Sequence, residues 1–146
     1  MNRPDDRTTQ KIHKLTNLLA EGKNLLIILQ DNPDPDSIAS AVAFRMLANS
    51  TAQVQCSIAH GGTVGRAENR ALVKYLGLNL RHVENIDISR FDLIAMVDTQ
   101  PGTGNNSLPG DLLPDIIIDH HPCRKITRDA RFYDIRKSYG ATSTML

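Results

Sequence analysis

Three stretches of this chain share one design: "LLIILQDNPDPD" (25–36), "FDLIAMVD" (91–98) and "DIIIDHHP" (115–122) each run apolar and then end in acids. Unbroken runs of Leu, Ile, Val and Met, without polar alternation, suit strands covered on both faces, as in a parallel sheet. Burying unpartnered carboxylates or imidazoles beside such runs costs several kcal/mol, so the polar tips must find partners. In a parallel sheet the carboxyl ends of the strands share one edge, where open α/β folds bind ligands. The three acidic tips are therefore expected to converge.

The remaining chain fits this frame. Ile12, Leu15, Leu18 and Leu19 recur at helical spacing, with Gly22 as a stop, and predict an opening amphipathic helix within residues 1–23. "SIASAVAFRMLA" predicts a helix with small residues in its first turns, "AQVQCSIA" a strand, "AENRALVKYLG" a helix ended by Gly77, and "ATSTML" the first turns of a further helix. Strands alternating with helices predict an α/β, Rossmann-like three-layer domain with a mainly parallel sheet and flanking helices. A chain of 146 residues, 40% hydrophobic, supports one domain, a helix over 1–23 followed by a sheet core over 24–146. The long polar loop around "TQPGTGNNSLPG" is expected to carry function rather than packing.

Composition narrows the partners. Seventeen Lys and Arg against sixteen Asp and Glu give a formal charge of +1, so coating duplex DNA by charge alone is not expected. Three Phe, three Tyr and no Trp supply few stacking surfaces, which favours short substrates over long single strands. Two cysteines in no CxxC pair, and no apolar run of spanning length, lead to the expectation of a reduced cytoplasmic protein that does not enter a membrane. A homodimer is compatible with all of this.

At the first tip, Pro33 and Pro35 push Asn32 and Asp34 toward extended conformations, so Asp34 and Asp36, two apart, can face one place. The alternative is a turn at Asp34 and a helix cap at Asp36, near Ser37. Carboxylates gathered from Asp34, Asp36 and Asp98 repel one another and raise each other's pKa unless a cation joins them. Oxygen ligands with an imidazole suit Mn²⁺ or Mg²⁺ better than a structural zinc. His120 is assigned as a ligand and His121 as a donor toward a substrate anion, with Asp119 orienting an imidazole; on spacing alone the two histidines could exchange roles. The start of "GATST", including Ser143, offers amides and hydroxyls as a phosphate seat, or simply a glycine turn and cap. Asn32 is a second candidate for contact with a substrate phosphate.

In this order, "NPDPDSIAS", "VDTQPG", "IIIDHHP" and "GATST" resemble the DHH phosphoesterase superfamily, which includes RecJ-type exonucleases, nanoRNase/pAp phosphatases, cyclic-dinucleotide phosphodiesterases, exopolyphosphatases and family II pyrophosphatases. "GGTVGRAENRALV" is similar to a segment of the nanoRNase-like branch. The resemblance covers nearly everything from Asn24 to Leu146. It implies a two-metal, usually Mn²⁺-dependent hydrolase acting by activation of water. The expected substrates are short oligonucleotides, pAp-like nucleotides or cyclic dinucleotides. On that match Asp34 and Asp36 hold different metals, Asp98 bridges them, His120 is a ligand and His121 faces the phosphate.

Two departures accompany the match. Gln30 stands where the family usually has a metal-binding histidine, which weakens the first metal position. No acid follows Asp134, whereas the family supplies a later aspartate and commonly a second, substrate-gripping domain. An incomplete domain, as in a fragment or a shortened gene product, is the corresponding expectation, and weak or absent turnover by this chain alone goes with it. A catalytically silent nucleotide- or phosphate-binding module is the alternative function, and a pyrophosphatase or exopolyphosphatase a third.

Overall fold

A computed structural model describes residues 6–146, so the first five residues of the expected 1–23 segment lie outside the described part. Helix α1 (Asp6–Leu19) precedes strand β1 (Asn24–Ile28), helix α2 (Pro35–Ala52), strand β2 (Gln55–His60), helix α3 (Ala67–Tyr75) and strand β3 (Leu80–His82). Strands β4 (Leu93–Val97), β5 (Ile116–Asp119) and β6 (Phe132–Ile135) follow. All pairings are parallel, in the order β3-β2-β1-β4-β5-β6.

The apolar runs earn their central positions. In β1, Leu25 and Ile27 enter a cluster with Leu15, Leu18 and Leu19 of α1 and Ala41 and Phe44 of α2. Leu26 and Ile28 point the other way, against Ala59 and Met96, under Ile86, Ile88 and Phe91. Alternate side chains of a strand necessarily take opposite faces, so a strand covered on both sides must be apolar at every position. The third layer differs from a helical one: single 3-10 turns at Val83–Asn85 and Ile88–Arg90, with the loop after β4, cover that face.

Two strands escaped the sequence reading, and both are edges. β3 is three residues long and only partly buried. In β6, Phe132 and Asp134 turn inward while Tyr133 is exposed, so no apolar run marks it. Asp134 is tolerated inside because Lys11 of α1 lies 2.5 Å away and Arg136 2.7 Å away. Burial opposes its charge, but these two cations, Arg136 foremost, hold its carboxyl below the usual value. The helix expected over "ATSTML" is one 3-10 turn, Thr142–Thr144.

The loop after β4 is seated against the end of β1. Asp31 N–H donates to Asn105 O at 2.7 Å, and Ser107 Oγ donates to Asp31 Oδ1 at 2.7 Å. Gly61 lies under this junction, where a Cβ would run into the Ser107 side chain and the Asp31 carboxylate. Gly61→Ala is accordingly expected to cost about 1–3 kcal/mol by overpacking, read as a lower urea midpoint. A stability unchanged from the parent would mean that the loop does not rest there.

Candidate metal centre

The chain order runs outward from β1 to β3 and then restarts beside β1 with β4. This reversal opens a crevice at the carboxyl ends of β1 and β4, the usual binding position of an open α/β sheet. All three acidic tips lie along that edge. No helix among the described residues is long and apolar enough to cross a membrane.

Asp98 follows β4 directly. Its N–H continues the ladder by donating to Ile118 O at 3.0 Å, after which the backbone turns with φ 59°. A non-glycine residue tolerates this left-handed conformation at some cost, least for Asp and Asn. The turn leaves the carboxylate only 3% exposed, with Oδ1 accepting from Thr142 Oγ1 at 2.8 Å. Asp119, at the end of β5, is fully buried, and its Oδ1 accepts from His120 N, His121 N and His121 Nδ1 at 2.8, 3.2 and 2.8 Å.

The two histidines are held differently. His120 Nδ1 lies 3.1 Å from Tyr139 O; a carbonyl can only accept, so Nδ1 carries the proton and Nε2 is left with its lone pair. That Nε2 stands 3.6 Å from Asp98 Oδ1 and 3.8 Å from Asp36 Oδ2. His121 instead spends Nδ1 on Asp119 and turns along a neighbouring cavity of about 530 Å³. Asp98, Asp119, His120 and His121 each offer a ligand atom, all within 4.8 Å of one another.

The remaining expected site residues take these places. Asp36 is in the first turn of α2, and its carboxylate accepts from Thr142 N and Ser143 N at 2.8 and 2.9 Å. The amides expected to seat a phosphate at "GATST" are thus occupied by Asp36, which caps the final turn. Asp34 is the N-cap of α2, with Oδ1 accepting from Ser37 N at 2.9 Å. The helix starts two residues before Ser37, which moves the capping role considered for Asp36 to Asp34. Asp34 and Asp36 lie outside the close group of four, Asp36 bordering it through His120. Asn32 Oδ1 accepts from Thr63 N at 3.1 Å, beside Asp34 on a second cavity of about 370 Å³. Gln30 is partly exposed just past β1.

Of the acids expected to raise one another's pKa, Asp98 shows the effect. Burial first, and then the charges of Asp36, Asp34 and Asp119, push the Asp98 carboxyl up to about 7 against the pull of Thr142. Asp36 goes the other way: burial disfavours its charge, but the hydrogen bonds from Ser143 and Thr142 outweigh it and lower its pKa. Burial also disfavours the His121 cation, yet Asp119 and the surrounding carboxylates raise its pKa.

The donor set fits a hard divalent cation. Two oxygen or nitrogen donors, each about 2.1 Å from a common ion, can be no more than about 4.2 Å apart. The separations of His120 Nε2 from Asp98 and Asp36, 3.6 and 3.8 Å, fall inside that limit. The free lone pair of Nε2 and the carboxylates crowded around Asp98 make a donor set that suits a cation.

Sequence reasoning missed Gln100 and Tyr139 as parts of this centre, and it read Thr142, within "GATST", as part of a phosphate seat rather than as the partner of Asp98. Tyr139 acts through a backbone carbonyl, which no side-chain pattern reveals. Thr142 lies 44 positions from its partner Asp98, and Gln100 reads as an ordinary loop residue.

Residues 24–146 match the model of the DHH family, N-terminal domain. An uncharacterised protein of Methanocaldococcus jannaschii is 38% identical over 158 residues, an alignment covering 97% of this chain and 32% of that protein. The chain therefore spans about a third of the length of this relative.

Proposed function

Because the chain belongs to the DHH family, whose N-terminal domain it carries over residues 24–146, we propose that it acts as a divalent-metal-dependent phosphoesterase. The substrates we propose are short oligonucleotides, pAp-like nucleotides or cyclic dinucleotides. One observation carries this reading: His120 Nε2, its other nitrogen tied to Tyr139 O, aims a lone pair between Asp98 and Asp36. Asp36, Asp98 and His120 would hold a cation, Mn²⁺ by preference, with Asp34 and Gln30 at the periphery as a second, weaker position. Such an ion, when bound, supplies Lewis acidity to phosphate and water.

The chain's own groups do the rest. Asp119 holds Nδ1–H of His121, so its Nε2 is presented to a phosphate oxygen beside the acids. In the protonated form that the carboxylates favour, this nitrogen donates to the anion and shields it from Asp98. Attack by water on phosphorus breaks the bond to the departing oxygen, which must leave with a proton. His121, 55% exposed along its side chain, is placed to exchange protons with solvent. A cavity of about 530 Å³ matches a nucleotide-sized ligand rather than a polymer groove.

The test is a substrate panel on the full chain with Mn²⁺: a dinucleotide, a 3′-phosphorylated nucleotide, a cyclic dinucleotide and pyrophosphate. Chelator-sensitive hydrolysis of at least one of the three esters, faster than of pyrophosphate, is expected. Faster cleavage of pyrophosphate would reassign the chain to anhydride hydrolysis. Gln30 favours one further reading, a module that binds the same ligands without turnover. Binding by calorimetry with no hydrolysis at saturating Mn²⁺ would select it.

A further inference from the structure

Gln100 lies in the "VDTQPG" stretch but is assigned no role by the resemblance and does not belong to the ligand set, yet it is among the best-fastened side chains of the protein. It arises two residues after Asp98 and is fully buried. Its Nε2 donates to Asp119 Oδ2 at 2.7 Å and to Pro122 O at 3.2 Å. Its Oε1 accepts from Arg124 N at 2.8 Å and from Thr127 Oγ1 at 2.7 Å. The orientation of this amide is forced, because Arg124 N can only donate and Pro122 O can only accept. The nitrogen therefore faces Asp119.

We infer that Gln100 is a positioning residue that acts through Asp119 to fix the ring of His121, an inference that rests on the phosphate-facing role proposed for that histidine. A carboxylate pinned at one oxygen cannot rotate about its last bond. With Oδ2 committed to Gln100, Oδ1 is left at a single position for His120 N, His121 N and His121 Nδ1. The consequence is a single neutral form, Nδ1–H toward Asp119, with Nε2 kept free on the cavity side. Without the amide, Oδ2 would be a buried acceptor with no partner, and the carboxylate would turn to seek one. Gln100 also ties the segment after the histidines to the loop after β4, so its two functions must be separated by experiment.

Ring-nitrogen NMR of ¹⁵N-histidine protein, at a pH that deprotonates both imidazoles, separates them and needs no turnover. The parent is expected to show His121 as the pure Nδ1–H tautomer. Gln100→Met, close in length but without donor or acceptor, is expected to lose that purity and give a tautomer mixture. Thr127→Val, which loosens the loop while leaving the Asp119 contact, is expected to keep it. A mixed tautomer in the parent, a pure one in Gln100→Met, or its loss in Thr127→Val would each overturn the inference. Should Gln100→Met fail to fold, Gln100→Leu takes its place, and the parent spectrum remains decisive. If the chain hydrolyses its ester, Gln100→Met is expected to lower kcat about 10–100-fold with KM little changed. A failed substrate panel leaves the spectra readable, so the two proposals fall separately.

Discussion

Asp98→Asn is expected to stabilise the metal-free protein at neutral pH while removing its response to Mn²⁺. The carboxyl of Asp98 titrates at about 7 in the fold against an ordinary value of 3.8. The native state thus binds the proton more tightly than the unfolded chain, so stability falls as pH rises between those two values and levels off above them. A shift of about three units corresponds to about 4 kcal/mol as a ceiling, and water reaching the crevice reduces it, so about 2 kcal/mol is the working expectation. Asparagine fills the same space without the charge and is, after glycine, among the residues that best tolerate the left-handed backbone at this position. Asp36 and Asp134, whose pKa values are lowered, have completed their contributions above 3.8 and add no slope in this window. His121, whose raised pKa draws partly on Asp98, adds slope only near and above its ordinary value of 6.5, so the difference between parent and variant below about pH 6 isolates Asp98. Urea midpoints of both proteins, with chelator, should coincide below about pH 4 and diverge toward pH 7, the variant being the more stable. Adding Mn²⁺ at a hundred times its dissociation constant should raise the parent by about 2.7 kcal/mol and leave the variant unmoved. Parallel pH curves for the two proteins would show that Asp98 carries no such penalty.

The two histidines should fail in different ways. His120→Ala removes the nitrogen that faces Asp98 and Asp36, so calorimetry should show Mn²⁺ binding weakened by at least about tenfold, with hydrolysis falling alongside. His121→Ala leaves that nitrogen in place and is expected to bind Mn²⁺ nearly as the parent does. Its ester hydrolysis should nevertheless fall by about 10²–10⁴, the range for loss of a positioned proton donor. If His121→Ala lost the metal and His120→Ala kept it, the assignments would have to be exchanged.

Much of this architecture is written locally. β1, β4 and β5 are continuous apolar runs because they are covered on both faces, and that property alone finds them. Edge strands lack it: β6 places the buried Asp134 where an apolar residue would be expected, its charge balanced by Lys11 from 123 positions away. The convergence of Asp98, Asp119 and the histidines was legible because parallel strands must end together. What stayed hidden is whatever hydrogen bonding decides at a distance. The split between His120 and His121 depends on the carbonyl of Tyr139 and the carboxylate of Asp119, and spacing cannot choose between them. Likewise Asp36 was read as a ligand or a helix cap, and its carboxylate proves to cap a turn more than a hundred residues downstream.

That last contact makes the centre a late product of folding. Asp36 and Thr142 are 106 positions apart, and Asp98 and Thr142 are 44 apart, so no early fragment of the chain can bring these groups together. Closing such distant pairs is slow compared with forming the helices and the β1–β2 pair. A nascent chain would therefore remain blind to the ion until the segment after β6 had docked. Acquisition of the cation would then report that the whole domain, and not merely its first half, had reached its final shape.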